Sequence, residues 1–382
     1  MAKKTFRIAF STIAVTPFIN FIRLVTRYPI SRKYLGRCFL AGLISMIAEP
    51  FRLVEQLLYA RKLHRTRLPA SPVFILGHWR SGTTLLHNLM CKDQQFAYIT
   101  TYQGVFVNQF FASRWLFRPL MKWLMPEKRP SDNVLLSPDF PQEEGFALCN
   151  MHSYAFYNFW YFPRQWKHFY DRYVSCRDLT AKQKRQYSKR YKKLIAQSLL
   201  EHQKENFISK NPVNTGSIQM ILEMFPDARF IYLYRNPVMV FHSTFKFFTA
   251  VMETLRLQVF TPPEMEELIF ELYERLISEY EKQKALIPPH HLIEIRYEDF
   301  LQHPEEHLKQ IYTSLNLPGF DRALPHFMTY LDTQKSFEKN KHLSDPLHLE
   351  KVKTRWGFAM KKYGYAEAAT GAKESSSTHQ LQ

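Results

Sequence analysis

The stretch that most constrains this chain runs from Pro72 to Met90. An apolar run, Pro72–Leu76, is closed by Gly77, and from Thr83 the residues Leu85, Leu86, Leu89 and Met90 recur at helical spacing. A short buried strand, a tight loop and a helix therefore follow one another without a break. The loop reads Gly77-His78-Trp79-Arg80-Ser81-Gly82-Thr83-Thr84. Glycines at both ends let the backbone curl, and the N–H groups that open the helix, together with its dipole, favour an anion. The Gly-x4-Gly spacing is that of a nucleotide-binding phosphate loop, with one departure. Thr83 stands where such a loop carries the lysine that reaches the β- and γ-phosphates, and the cation is Arg80 instead. No later strand offers a persuasive acid to hold Mg²⁺. A loop that binds a phosphate through an internal arginine, with no metal, fits a phosphosulfate donor better than ATP.

The rest of the chain extends this unit. Further strands are predicted at Phe207–Ser209, Arg229–Tyr234 and Leu292–Tyr297. Between the last two, Met265, Leu268, Ile269, Leu272, Leu276, Ile277 and Tyr280 mark an amphipathic helix. Another helix starts near Pro304. Thr180 with Gln183 reads as a capping box opening a basic helix to about residue 203. Strands alternating with helices imply an α/β class: a P-loop-like three-layer fold with a central parallel sheet flanked by helices. With 382 residues and 46% hydrophobic composition, the chain can bury a core of that size. Residues 100–178, rich in aromatics and prolines with irregular periodicity, read as an insertion that shapes a pocket.

The formal charge of +18 is concentrated at one end. Residues 1–70 carry thirteen Lys and Arg against two acids, Glu49 and Glu55. Apolar clusters (Phe6, Ile8, Phe10, Phe18, Phe21, Ile22, then Phe39 to Ile47) alternate there with single arginines, so no uncharged run is long enough to span a bilayer. Residues 1–70 are predicted as two or three basic amphipathic helices, which either lie on an anionic membrane or pack on the domain. Residues 71–365 form the main domain, and 366–382 a disordered polar tail. The four cysteines, Cys38, Cys91, Cys149 and Cys176, show no metal-site or disulfide spacing and read as free thiols of a reducing compartment. The expected location is cytoplasmic, with peripheral membrane contact as an option.

Four segments resemble, in order, those of the sulfotransferases that use 3′-phosphoadenosine-5′-phosphosulfate (PAPS), in particular the branch with an R-S-G-T-T loop that includes relatives of the tyrosylprotein sulfotransferases. They are the loop at 77–84; Ile208-Ser209-Lys210-Asn211-Pro212; Arg229 to Pro237 followed by Ser243; and Arg296-Tyr297-Glu298-Asp299. The resemblance, over roughly residues 70–365, implies that Arg80, Ser81, Gly82, Thr83 and Thr84 receive the 5′-phosphosulfate of PAPS. It implies that Arg235 and Ser243 clamp its 3′-phosphate, and that Lys210 contacts the moving sulfuryl group. A forked guanidinium and a hydroxyl one to two helical turns on suit such a clamp physically.

Transfer to an alcohol also needs a group that accepts the hydroxyl proton. The candidates are Glu143 and Glu144, in Asp139-Phe140-Pro141-Gln142-Glu143-Glu144. Relatives of this branch commonly show P-x-E here, which favours Glu143; both glutamates also suit the first turn of a helix. His78, His87 and His152 are rivals. The catalytic set is then Glu143, Lys210 and Arg80. The aromatics of 100–170 (Tyr102, Phe106, Phe110, Phe111, Trp115, Phe156, Phe159, Trp160, Tyr161) read first as core. Together with the apolar N-terminus they tilt the acceptor towards a lipophilic alcohol such as a sterol or lipid. A carbohydrate hydroxyl is the alternative, and a P-loop kinase a more distant one. A nucleic-acid or membrane binder without chemistry would account for the charge but not for Arg80, Lys210, Arg235 and Ser243, and no nucleic-acid partner is expected.

Overall fold

The computed structural model describes residues 12–126, 135–334 and 346–365. The apolar run Val73–Leu76 forms β1, and all four of its residues are fully buried. A strand without a solvent face belongs in the middle of a parallel sheet covered on both sides. It lies there, between β3 (Asn206–Lys210) and β4 (Arg229–Tyr234), with β2 (Phe96–Ala97) and β5 (Leu292–Arg296) at the edges. The order is β2-β3-β1-β4-β5 and every pair is parallel. β2, two residues long, has no counterpart among the predicted strands.

Because side chains alternate across a strand, β1 supplies both cores. Phe74 and Leu76 join the larger one with the helices Pro237–Leu255, Pro262–Gln283 and Pro346–Lys362. Val73 and Ile75 join the other with α4 (Thr83–Met90) and the helices Pro304–Ser314 and Phe320–Gln334. The three-layer α/β arrangement expected from the sequence is present. The capping box forms as predicted, with Thr180 and Gln183 opening the helix Ala181–His202.

The 100–178 region is more regular than its periodicity suggested. It contains the helices Thr101–Phe106, Arg114–Leu124, Glu144–Met151 and Trp166–Tyr173. Tyr102, Phe106, Phe110, Phe156, Phe159, Trp160 and Tyr161 are buried, so most of these aromatics are core; Trp115 is exposed. Short helices joined by turns, with rings filling the space between them, leave no long stripe to read.

Before the sheet come α1 (Phe18–Arg27), α2 (Leu35–Ile47) and α3 (Glu49–Arg65). Their inner faces pack on the body: Ile13, Ala14, Phe21 and Leu24 share the core of Phe74. Asn20 Nδ2 donates to the Met151 carbonyl at 3.2 Å, and Ser31 N to that of Leu257 at 3.0 Å. Phe6, Ile8, Phe10 and the tail from Ala366 lie outside the described residues. All four cysteines are free thiols. No helix of the described residues is long and apolar enough to cross a membrane.

Candidate active site

The loop after β1 turns where only special backbone geometry allows. Gly77, Arg80 and Gly82 all have positive φ, at 141°, 69° and 96°. Glycine adopts this region freely; an arginine there is held by its surroundings. Two neighbours supply that hold. Gly77 N donates to Thr215 Oγ1 at 2.8 Å, and Ser81 Oγ donates to the His78 carbonyl at 2.8 Å. His78 and Trp79 serve as anchors under the loop. The His78 ring meets the stacked rings of Tyr273 and Trp356 edge-on, and Trp79 packs on Phe156, Tyr157 and Phe248. A Cβ at Gly82 would overlap the Tyr297 ring, so only glycine lets the loop pass beneath it.

Three of the expected anion-binding groups meet beside this loop. Arg235 follows β4, and its Nη1 donates to the Arg80 carbonyl at 3.1 Å. Arg80 Nε in turn donates to Ser243 Oγ at 2.7 Å, from the helix Pro237–Leu255. The Arg235 guanidinium lies over the Tyr297 ring at 4.7 Å. Burial lowers the Arg235 pKa from its ordinary value, the penalty for a cation drawn away from water. Arg80 thus joins the Arg235–Ser243 end of the site, which the sequence pairing of Arg235 with Ser243 alone did not foresee. These contacts fit a doubly charged phosphate: two forked cations, a hydroxyl and a loop without a Cβ in the way.

Across β1, the other side carries a carboxylate and an ammonium. Lys210 ends β3, and its Nζ bonds Glu143 Oε1 at 2.6 Å; the Lys210 side chain is 4% exposed. The Tyr157 hydroxyl donates to the other carboxylate oxygen. Burial, and then the nearby Glu143 charge, push the Tyr157 phenol well above its ordinary pKa, so it stays a donor. β3 and β4 flank β1, so the strands carrying Lys210 and leading to Arg235 lie about 10 Å apart. Both groups, and the loop, gather at the carboxyl ends of the strands where the chain changes direction across the sheet, the usual ligand position in open α/β folds.

Glu143 and Glu144 diverge because the backbone turns between them. Glu143 is the N-cap, extended at φ −72° and ψ 130°, and Glu144 is the first helical residue. Glu144 is buried, and its Oε1 accepts from Tyr191 Oη at 2.6 Å, from Asn214 Nδ2 at 2.8 Å and from the Ser209 hydroxyl. It takes no part in the Glu143–Lys210 pair and points into the core.

The three histidines are also buried. His78 Nδ1 lies 2.9 Å from the Trp79 carbonyl, and burial pushes its pKa down to about 4. Burial likewise holds His87 and His152 well below the usual histidine value. His152 Nδ1 accepts from Tyr154 N at 2.8 Å. Rings fixed this way are poor proton acceptors at neutral pH. Tyr157 was not singled out in the sequence, and Tyr297 only as a member of the segment Arg296–Asp299 with no role of its own. Tyrosines are frequent in this chain, and only the tertiary fold brings these two to Glu143 and Gly82.

Comparison with known proteins follows the same lines. The model of a family described as the sulfotransferase family matches residues 72–322. The chain is 29% identical over 322 residues to the omega-hydroxy-beta-dihydromenaquinone-9 sulfotransferase Stf3 of Mycobacterium bovis and of Mycobacterium tuberculosis, covering 84% of this chain and 82% of theirs. Among solved structures, sulfotransferase STF1 from Mycobacterium tuberculosis H37Rv superposes with a TM-score of 0.61 at 15% identity, covering 84% of this chain and 86% of that one. Sulfotransferase STF9 from Mycobacterium avium also gives 0.61, at 14% identity, covering 91% and 96%. At such identities the two structures speak for the fold alone.

Proposed function

Because the chain belongs to the sulfotransferase family, whose model spans residues 72–322, we propose that Glu143 and Lys210 carry sulfuryl transfer from PAPS to the hydroxyl of a lipophilic alcohol. Family membership makes the chain a sulfotransferase and implies PAPS as donor; the kinase alternative is left without support. The residue roles and the acceptor are the proposal.

Arg80, Arg235 and Ser243 bind the 3′-phosphate of the donor, and the amides of residues 81–84 receive the 5′ end at the start of α4. An incoming phosphate offsets the desolvation of Arg235. Lys210 leaves Glu143 to face the oxygen that bridges sulfur and phosphorus, where negative charge grows as that S–O bond breaks. Its departure frees Glu143 Oε1 to take the proton of the acceptor hydroxyl while the new O–S bond forms. The products are the sulfate ester and adenosine 3′,5′-bisphosphate, with the proton on Glu143. Tyr157 keeps its bond to the second carboxylate oxygen and so fixes the carboxylate's direction.

The observation that supports a lipophilic acceptor is the wall of largely buried rings packed behind Glu143. The Tyr157 ring is surrounded by Phe146 at 4.9 Å, by Trp79 and Trp160 at 6.2 Å, and by Phe156 at 6.3 Å. A sugar presents several hydroxyls, each costly to leave unpaired, and this wall offers few partners. Stf3 is named for a hydroxylated menaquinone, which points the same way. The test is transfer of label from PAPS to sterols, isoprenoid alcohols, glycans and tyrosine peptides. Label in a lipid-soluble alcohol is the expected result, and label confined to glycans or peptides would overturn the proposal.

A further inference from the structure

The helix α3 is built inside out. Its buried residues include Arg52 and Glu55, each 2% exposed, while Leu57 on its outer side is 83% exposed. The inward charges are partly satisfied: one nitrogen of Arg52 and one oxygen of Glu55 are bonded, and Arg52 Nε and Nη2 and Glu55 Oε1 are buried without a partner. Arg52 Nη1 donates to the Ser45 carbonyl at 2.9 Å and to Glu49 Oε1 at 2.6 Å. Glu55 Oε2 accepts from the amides of Phe111 at 3.0 Å and Ala112 at 2.7 Å. Leu53, Val54, Leu57 and Leu58 are left facing outward. A helix designed to face water would have the reverse pattern.

The exposed apolar surface extends to neighbouring helices. Phe39, Leu43, Met46 and Ile47 of α2 recur at three- and four-residue spacing and are exposed, while Ala41 and Gly42 face the Phe21 side. On the helix Arg114–Leu124, Trp115, Leu120, Trp123 and Leu124 are exposed. That helix is joined to α3 through Phe51 and Phe117, whose rings meet at 5.2 Å. Contiguous apolar surface of this extent marks an interaction site in a water-soluble fold.

Charge identifies the occupant. Arg61, Lys62 and Arg65 of α3 and Lys122 of the helix Arg114–Leu124 are exposed, as are Arg23 and Arg27 of α1 and Arg32, Lys33 and Arg67 in the connecting segments. Between residues 12 and 70 the acids are Glu49 and Glu55, and both are bonded to the protein. A second copy of the chain would bring two cationic rims together. An anionic lipid surface satisfies both features, because leucine, phenylalanine and tryptophan enter the headgroup boundary while the cations meet phosphates. We infer that the outer faces of α2, α3 and the helix Arg114–Leu124 form one docking surface for an anionic bilayer. This inference does not depend on the acceptor: a water-soluble acceptor would leave the surface as it is.

Ser45 of α2 donates its hydroxyl to the Thr16 carbonyl at 2.6 Å, which ties the surface to the segment preceding α1. Asn108 Nδ2 donates to the Asn150 carbonyl at 2.6 Å, and Asn20 Nδ2 to that of Met151. Asn108 Nδ2 also reaches the Val15 carbonyl at 3.5 Å, so the segment preceding α1 and α1 itself are both tied to the helix that Glu143 caps.

The test uses the full chain and vesicles of phosphatidylcholine with or without phosphatidylglycerol. Sedimentation should show binding only when phosphatidylglycerol is present, weakening as salt is raised, and bromine-labelled lipid should quench the tryptophan fluorescence. Leu53→Glu with Leu57→Glu should lower the partition coefficient at least about tenfold, since two exposed leucines lose their burial in lipid. Phe39→Glu with Trp123→Ala tests the other two helices in the same way. Stabilisation by adenosine 3′,5′-bisphosphate should be unchanged in both variants, which reports that they are folded. Absence of binding to phosphatidylglycerol vesicles, or equal binding by both folded variants, would overturn the inference. So would a dimer that Leu53→Glu with Leu57→Glu dissociates in the absence of any vesicle binding, because the partner would then be a second copy.

Discussion

Arg235 illustrates how a single side chain is positioned for a ligand. Its guanidinium spans the Arg80 carbonyl and the Tyr297 ring, and burial lowers its pKa. Arg235→Ala should weaken binding of adenosine 3′,5′-bisphosphate by about 1.5–3 kcal/mol, the range for charge-assisted hydrogen bonds. Adenosine 5′-phosphate, which lacks the 3′ group, should bind equally well to both proteins; calorimetry with the two nucleotides decides. Glu144 has a different task. Three donors converge on one of its oxygens while the other is buried without a partner, so Glu144→Gln should place an unsatisfied amide in the core. A stability loss of about 1–3 kcal/mol in urea unfolding is expected, with nucleotide affinity unchanged. The P-x-E pattern distinguished Glu143 from Glu144 in the sequence, but the burial of Glu144 was not legible. That depends on Tyr191, Ser209 and Asn214, which arrive from three other elements.

Among the elements, legibility followed length and continuity. β1 and β4 are unbroken apolar or aromatic runs, and their predicted bounds agree with the structure to within a residue. β2 pairs through Phe96 and Ala97 only, too short for any alternation to register. The loop between β1 and α4 was recognisable from its two glycines, but the need for the second comes from a distant ring. Gly82 has φ of 96°, and Tyr297, at the start of the helix Tyr297–Gln302, covers it. Gly82→Ala should therefore disturb the loop twice, through the backbone and through the clash. Thermal stabilisation by adenosine 3′,5′-bisphosphate should be largely lost. Gly82→Ala with Tyr297→Ala should recover only part of it, because the positive φ remains. Full recovery would mean that the clash alone matters.

At the scale of the molecule, the cores hold several histidines that burial keeps neutral. An unfolded histidine takes up a proton near pH 6.5, whereas folded His78 does so only near 4, and His87 and His152 are pushed the same way. Between those values the unfolded chain binds more protons, so stability rises with pH through this window and is lost on acidification. Each such group contributes a slope of up to about 1.4 kcal/mol per pH unit. Urea unfolding at pH 7 and 5.5 should show the loss, and His78→Gln should reduce the slope; a stability independent of pH over this interval would contradict it. Residues 12–70 share a core with the sheet, which composition could not reveal because their charge and their apolar residues serve opposite faces. The central claim, that Glu143 accepts the proton in a site assembled from β1, β3 and β4, is tested most directly by single-turnover transfer from labelled PAPS. Glu143→Gln should transfer about 10²–10⁴-fold more slowly than the unmodified chain at unchanged nucleotide affinity, while folded Glu144→Gln stays within about tenfold of it. A near-full rate in Glu143→Gln would contradict the account.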